Sequence, residues 1–180
     1  MPTDSNALGL VFRKVFVLGG ARSGKTAFAE QLAAECGEPV LYVATATASD
    51  EEMRARIARH RAERPPSWRS LDAPRDVAAS ISRLGSGATT VIVEDLTLLL
   101  SNLMAEDTAT AEARARHEVN HVLTVQANVI LVSNEVGMGI VPEHPLGRLF
   151  RDALGRLNQA AAAGCAEVYL LVAGLSLRLK

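Results

Sequence analysis

The sequence predicts an α/β fold, a single doubly wound domain with a mostly parallel sheet, and three observations predict it. Short apolar runs recur at 15–18, 40–44, 91–93 and 129–132, and longer stretches with helical spacing separate them. The runs are continuously apolar rather than alternating, the pattern of strands covered by helices on both faces. The first run passes through a glycine-rich turn directly into a helix. No repeat or low-complexity segment interrupts this order.

Val15-Phe16-Val17-Leu18 is the first strand and ends at Gly19-Gly20. A helix follows over 25–35, stopped by Gly37 and Pro39. Val40-Leu41-Tyr42-Val43-Ala44 is the second strand. The helix over 49–64 opens on Ser49-x-x-Glu52, a capping-box pattern, and Pro65-Pro66 ends it. The segment 74–84 is again helical in pattern. Val91-Ile92-Val93 is a strand running into Glu94-Asp95, followed by helical stretches over 96–104 and 109–126. Val129-Ile130-Leu131-Val132 is the next strand, a Gly/Pro loop spans 137–145, and a long helix covers 146–163. Strands at 168–172 and 175–179 close the chain. These patterns do not encode strand order.

At 180 residues with 48 % hydrophobic and 22 % charged side chains, the chain can bury one full core. A formal net charge of −1 argues against broad electrostatic attraction to nucleic acid or an anionic membrane. No stretch approaches the ~20 apolar residues of a membrane helix, and residues 1–13 lack the apolar run of a signal peptide. Cys36 and Cys165 show no CxxC spacing and read as small buried hydrophobes in a reducing compartment. The expectation is a cytoplasmic protein with no nucleic-acid partner and no membrane insertion.

Gly19-Gly20-Ala21-Arg22-Ser23-Gly24-Lys25-Thr26 matches G-x-x-x-x-G-K-[ST] in full, between a strand and a helix. In such a P-loop, backbone N–H groups turn inward around phosphates and the helix offers its positive end. Lys25 reaches the β/γ-phosphates and the Thr26 hydroxyl ligates Mg²⁺. Lys25 is the sole lysine between residues 15 and 179. Glu94, directly after a strand, is placed to complete the metal site, with Asp95 adjacent. These residues point to a P-loop NTPase fold binding a purine nucleoside triphosphate.

On the helix over 49–64, Met53, Ile57, His60 and Arg64 follow at spacings of four, three and four, which puts them on one, core-facing stripe. Arg56, Arg59, Arg61 and Arg64 surround His60. Neighbouring arginines disfavour the imidazolium and leave a neutral imidazole, a competent phosphorus nucleophile. Spacing alone favours the plainer reading, a solvated basic helix carrying a half-buried histidine.

The P-loop, Tyr42-Val43-Ala44-Thr45-Ala46, the stretch from Arg56 to Pro65 containing His60-Arg61, Asn134-Glu135-Val136-Gly137-Met138-Gly139-Ile140-Val141-Pro142, Arg148-Leu149-Phe150-Arg151-Asp152 and Arg156-Leu157-Asn158-Gln159 together resemble the bifunctional adenosylcobinamide kinase / adenosylcobinamide-phosphate guanylyltransferase family. The resemblance runs over 15–180, leaving 1–13 as an N-terminal extension ahead of a P-loop transferase domain over 14–180. It implies a RecA-like P-loop fold and a homo-oligomer, a trimer. It implies that adenosylcobinamide is phosphorylated by ATP or GTP, and that GTP then transfers GMP to adenosylcobinamide phosphate with release of pyrophosphate. His60 matches the histidine that becomes guanylylated; Arg59 stands where the family pattern can carry a second histidine, so His60 is the one candidate. The family's nucleotide contacts fall on the P-loop, on Ala44, Thr45 and Ala46, on Arg61, Ala62, Glu63 and Arg64, on Asp72 and on Glu94. Competing readings are a P-loop kinase with only the first activity and a non-enzymatic nucleotide-binding switch.

Two other signals are declined. His117-Glu118-Val119-Asn120-His121 matches H-E-x-x-H but reads as a solvent-facing helix in a chain committed to a P-loop core. Asp152-x-x-Gly155 copies a GTPase switch motif inside a helix, and no N-K-x-D accompanies it.

Overall fold

In the computed structural model, residues 11–48 and 50–180 are described, with their side chains except that of Arg56. Seven strands form one sheet: β1 (Lys14–Gly19), β2 (Val40–Ala44), β3 (Arg69–Asp72), β4 (Thr90–Glu94), β5 (Asn128–Asn134), β6 (Glu167–Val172) and β7 (Leu175–Arg178). Six helices accompany them: α1 (Lys25–Cys36), α2 (Glu51–Ala62), α3 (Val77–Leu84), α4 (Leu96–Glu106), α5 (Ala111–Leu123) and α6 (Pro145–Gly164). The sheet order is β3-β2-β4-β5-β1-β6-β7, all neighbours parallel except β6 and β7. This is the doubly wound P-loop α/β fold the sequence predicts, in its RecA-like form: β5 lies between the P-loop strand and the strand that ends at Glu94.

The apolar runs are continuous because each strand feeds two cores. Phe16, Val91, Val93, Val129 and Leu131 face a layer built by α3, α4, α5 and α6, whose buried residues include Ile81, Leu99, Val119 and Leu154. Val15, Val17, Ile92, Ile130 and Val132 face the other way, onto Ala29, Leu32 and Ala33 of α1. Each large side chain so buried contributes about 1.5–3 kcal/mol.

Three features depart from the sequence reading. β3 was not predicted: Arg69-Ser70-Leu71-Asp72 is an edge strand with only Leu71 partly buried, so it lacks an apolar signature. The α2 stripe does not face the core; none of the described α2 residues is fully buried. Its cap is Asp50, whose carboxylate accepts from the Met53 amide at 2.8 Å, while Ser49 of the expected capping box lies outside the described residues. Cys165 is buried, which pushes its thiol up to about 12, but Cys36 is only half-buried, its sulfur 3.5 Å from the Arg13 guanidinium.

Arg13 also donates twice to Glu167 of β6, at 2.8 and 2.9 Å. That hydrogen bonding holds the Glu167 carboxyl below its usual range, with the Tyr169 hydroxyl adding to the effect. A carboxyl depressed by folding contributes stability that is complete above its unfolded value, near pH 4.5, and lost as pH falls through the folded value. Glu167→Gln is therefore expected to lower the melting temperature at pH 7, with the gap from the parent protein closing below pH 4; a gap that widens on acidification refutes the assignment.

Candidate active site

Parallel strands end on the same edge of a sheet, and here that edge gathers the polar residues. β1 ends at Gly19, paired in register with Asn134 at the end of β5; β4 ends at Glu94, paired with Ala44 at the end of β2. Ala44 is in turn paired with Asp72 at the end of β3. Helix positions follow from these ends, since each strand hands its chain to the next segment at this edge.

The P-loop turns from β1 into α1. Gly24 is the N-cap with φ 96°, and no side chain caps the helix, so its first-turn amides point at the space before it. A side chain at Gly24 is disfavoured twice, by that φ and because a Cβ would meet the Gly174 Cα at 3.2 Å. The β6–β7 turn thus rests on the loop, and the Gly174 amide donates to the Ser23 carbonyl at 2.9 Å. Lys25 is only 8 % exposed, and its Nζ donates to the Gly20 carbonyl at 2.9 Å and to Asn134 Oδ1 at 2.8 Å. Ser23 Oγ is buried with no hydrogen-bond partner.

Thr26 Oγ1 donates to Glu94 Oε1, and Tyr42 donates its hydroxyl to Glu94 Oε2 at 2.7 Å. Burial, reinforced by the Glu94 carboxylate, pushes the Tyr42 phenol up, so it remains a donor. Thr26 and Glu94 therefore present two hard oxygens side by side, a donor set suited to Mg²⁺ with phosphate oxygens and water completing the shell. P-loop nucleotide-binding enzymes typically use that ion. Asp95 lines the same site but its side chain caps α4, accepting from the Leu98 amide at 2.8 Å, and burial pushes its carboxyl up against that amide's opposing effect.

A cavity of about 260 Å³ opens beside these residues. Thr26, Tyr42, Glu94 and Asn134 line it together with Met53, Ile57, His60 and Arg64. The α2 stripe read as core-facing therefore faces this cleft. His60 has a 36 % exposed side chain, and its Nδ1 lies 3.9 Å from Glu63 Oε2. Arg64 stacks on Tyr42, its guanidinium carbon 3.4 Å from the ring centroid, donates to Ser70 Oγ at 3.1 Å, and keeps a buried Nε without a hydrogen-bond partner. Arg61 grips both oxygens of Asp72 at 2.8 Å.

Of the remaining expected contacts, Ala44, Ala46 and Asp72 line the cavity, whereas Arg61, Ala62 and Glu63 are exposed and stand outside its lining. Thr45 is fully buried; its hydroxyl donates to the Asp95 carbonyl at 2.8 Å and accepts from the Asp95 amide at 2.7 Å. It ties β2 to β4 rather than facing the cleft. Residue reasoning assigned no role to Asn134, although the strand-end rule that found Glu94 applies to it equally. Its Nδ2 donates to Thr97 Oγ1 at 2.9 Å and Asp95 Oδ2 at 3.2 Å, which aims Oδ1 at Lys25. Buried Asn158 of α6 holds the Asn134 carbonyl at 3.1 Å.

A larger groove of about 670 Å³ lies at the opposite end of the strands, beside Ala88 and Ala127, and contains none of the P-loop. His117 and His121 line it with rings 4.0 Å apart. Between them Glu118 accepts from the Ala78 amide at 2.8 Å, so this glutamate serves the N-terminus of α3. No group of three or more metal-ligating residues occurs among the described residues.

The sequence pattern of the cobinamide kinase / cobinamide phosphate guanyltransferase family matches residues 15–179. The bifunctional adenosylcobalamin biosynthesis protein CobP of Pseudomonas aeruginosa is 44 % identical over 165 residues, 91 % of this chain and 95 % of that protein. The bifunctional adenosylcobalamin biosynthesis proteins CobU of Salmonella typhimurium and Escherichia coli are each 38 % identical over 180 residues, 92 % of this chain and 99 % of theirs. Among solved structures, the RadB recombinase overlaps 87 % of this chain and 72 % of its own with a TM-score of 0.46 at 18 % identity. The P4 protein of bacteriophage phi6 in complex with ADP overlaps 92 % and 53 %, with a TM-score of 0.43 at 13 % identity.

Proposed function

This chain belongs to the cobinamide kinase / cobinamide phosphate guanyltransferase family, and from that premise we propose that one nucleotide site performs both of its reactions, with His60 as the covalent carrier. The enzyme phosphorylates adenosylcobinamide with ATP or GTP and transfers GMP from GTP to adenosylcobinamide phosphate, in cobalamin biosynthesis. A single observation carries the one-site reading: Thr26 and Glu94 share one cavity with His60.

In the kinase step the acceptor's aminopropanol hydroxyl attacks the γ-phosphorus, and the nucleoside diphosphate leaves. Lys25 and the first-turn amides of α1 hold the triphosphate in line. Thr26 and Glu94 would hold Mg²⁺, which neutralises charge on the phosphate oxygens when bound. In the transfer step an imidazole nitrogen of His60 attacks the α-phosphorus of GTP; an N–P bond forms and the bond to the departing pyrophosphate breaks. A phosphate oxygen of the acceptor then attacks the same phosphorus, breaking the N–P bond and giving adenosylcobinamide-GDP. With Nδ1 on the side of Glu63, 3.9 Å from its carboxylate, Nε2 is the nitrogen we assign to the attack. Arg64, which lines the cavity, is placed to bind a phosphate oxygen through its guanidinium.

Val172, Leu175, Leu177 and Leu179 are exposed on the β6–β7 edge, where register pairs Val172 with Leu175 and Leu170 with Leu177. That apolar face supports a homo-oligomer, a trimer, with a second copy covering it. No helix among the described residues is long and apolar enough to cross a membrane, and we place the enzyme in the cytoplasm, where its nucleotides are supplied.

The test is product analysis. Continuing pyrophosphate release, beyond the single equivalent freed when GTP guanylylates His60, is expected only when GTP and the corrinoid are both present, and ADP or GDP when the unphosphorylated corrinoid is supplied. Diphosphate without pyrophosphate means a kinase alone, and nucleotide binding indifferent to corrinoid means a switch.

A further inference from the structure

We propose that the loop joining β5 to α6 is the platform on which the corrinoid docks, with Met138, Ile140 and Val141 against the apolar face of its macrocycle. The proposal rests on the reading above, that the acceptor is a cobinamide.

Size is the first argument. A corrin ring with its peripheral amides cannot enter a cavity of about 260 Å³ that must also admit the nucleotide phosphates. Only the aminopropanol arm fits there, so the ring must rest on the rim. The rim has three flanks. α2 and the cavity it covers form one, and the β6–β7 turn, bonded to the P-loop through Gly174, forms another. The third is the β5–α6 loop, whose root is joined to the phosphate cradle: the Glu135 amide donates to the Gly19 carbonyl at 3.0 Å, and Asn134 accepts from Lys25.

Chemistry is the second argument. Residues 136–142, Val-Gly-Met-Gly-Ile-Val-Pro, carry no charge, yet Met138 is 80 % and Ile140 97 % exposed. The exposure does not come from a loose loop. The Gly137 amide donates to Glu135 Oε1, and the Arg148 guanidinium donates to the Pro142 and Glu143 carbonyls. Gly147 packs so tightly on Pro142 that a Cβ there would lie 2.9 Å from it. Apolar side chains held outward beside a polar reaction centre mark a binding surface. An amphipathic ring whose reactive arm must reach that centre matches it in both respects.

Met138→Ser combined with Ile140→Ser tests this, because both side chains are exposed and neither supports the fold. Cobinamide binding is measured by equilibrium dialysis read from the corrin's visible absorbance, GTP binding by calorimetry and assembly by sedimentation. The double variant is expected to bind cobinamide roughly tenfold more weakly, with GTP affinity and assembly unchanged. Unchanged cobinamide affinity overturns the platform while leaving the two-reaction reading intact. Dissociation of the oligomer also overturns it, since the loop then serves a second copy of the chain. A parent protein that neither binds nor phosphorylates cobinamide removes the function proposed above and the platform with it.

Discussion

The His60→Ala enzyme is expected still to phosphorylate the corrinoid but to transfer GMP more slowly by on the order of 10³-fold or more, a barrier increase of about 4 kcal/mol. The asymmetry follows from which phosphorus reacts. The kinase step is an in-line displacement at the γ-phosphorus, governed by Lys25, Thr26, Glu94 and the loop amides rather than by His60. Transfer needs a nucleophile at the α-phosphorus, and His60 is the imidazole on the wall of the shared cavity. GTP labelled at its α-phosphate is expected to leave label on the parent protein that survives alkali and is released by acid, because protonating the ring nitrogen makes it a good leaving group. His60→Ala should carry none. The substitution leaves the fold alone: α2 has no fully buried described residue, and alanine is a strong helix former. Transfer at the parent rate by His60→Ala would mean direct attack of the acceptor on GTP and would exclude the covalent carrier.

That histidine illustrates what a sequence makes legible. Spacing of four and three correctly put Met53, Ile57 and His60 on one helix face, while Arg64 lies just past the end of α2 and lines the same cavity; but periodicity reports only that a face is shared, not what it meets. An apolar stripe along a cleft reads like a stripe along a core, and only the tertiary placement of α2 beyond the ends of β2 and β4 separates them. The parallel core strands were legible because two-sided burial demands uninterrupted apolar residues. β3 was not, because an edge strand exposing Arg69, Ser70 and Asp72 needs no apolar pattern and is held by the backbone ladder to β2. Glu94 was found from its place after an apolar run. Asn134 has the same place, but an amide has no charge or metal affinity to draw attention, and its importance lies in a hydrogen bond to a lysine more than a hundred residues away. The role of Asp95 was hidden for the converse reason: beside Glu94 it looks like a second ligand, while its side chain caps α4.

Lys25→Ala should cripple both reactions together, each by on the order of 10²- to 10⁴-fold in kcat/KM. Two charge-assisted contacts, to the β- and γ-phosphates, are lost at about 1.5–3 kcal/mol apiece, and each 1.36 kcal/mol is tenfold in rate. Lys25 is 8 % exposed and its ammonium is bonded to the Gly20 carbonyl and Asn134 Oδ1, so it is already aimed before nucleotide arrives. Water screens such a charge weakly, which places its effect toward the upper part of that range. Asn134→Ala keeps the charge and removes one of the acceptors that aim it, so its loss should be smaller, about tenfold in each reaction. Parallel losses in phosphorylation and GMP transfer are what one shared triphosphate site requires, because the same lysine meets GTP whichever phosphorus is attacked. Loss of phosphorylation with GMP transfer intact in Lys25→Ala would require a second nucleotide site away from the P-loop, and the cavity shared by Thr26, Glu94 and His60 would then have no part in guanylylation.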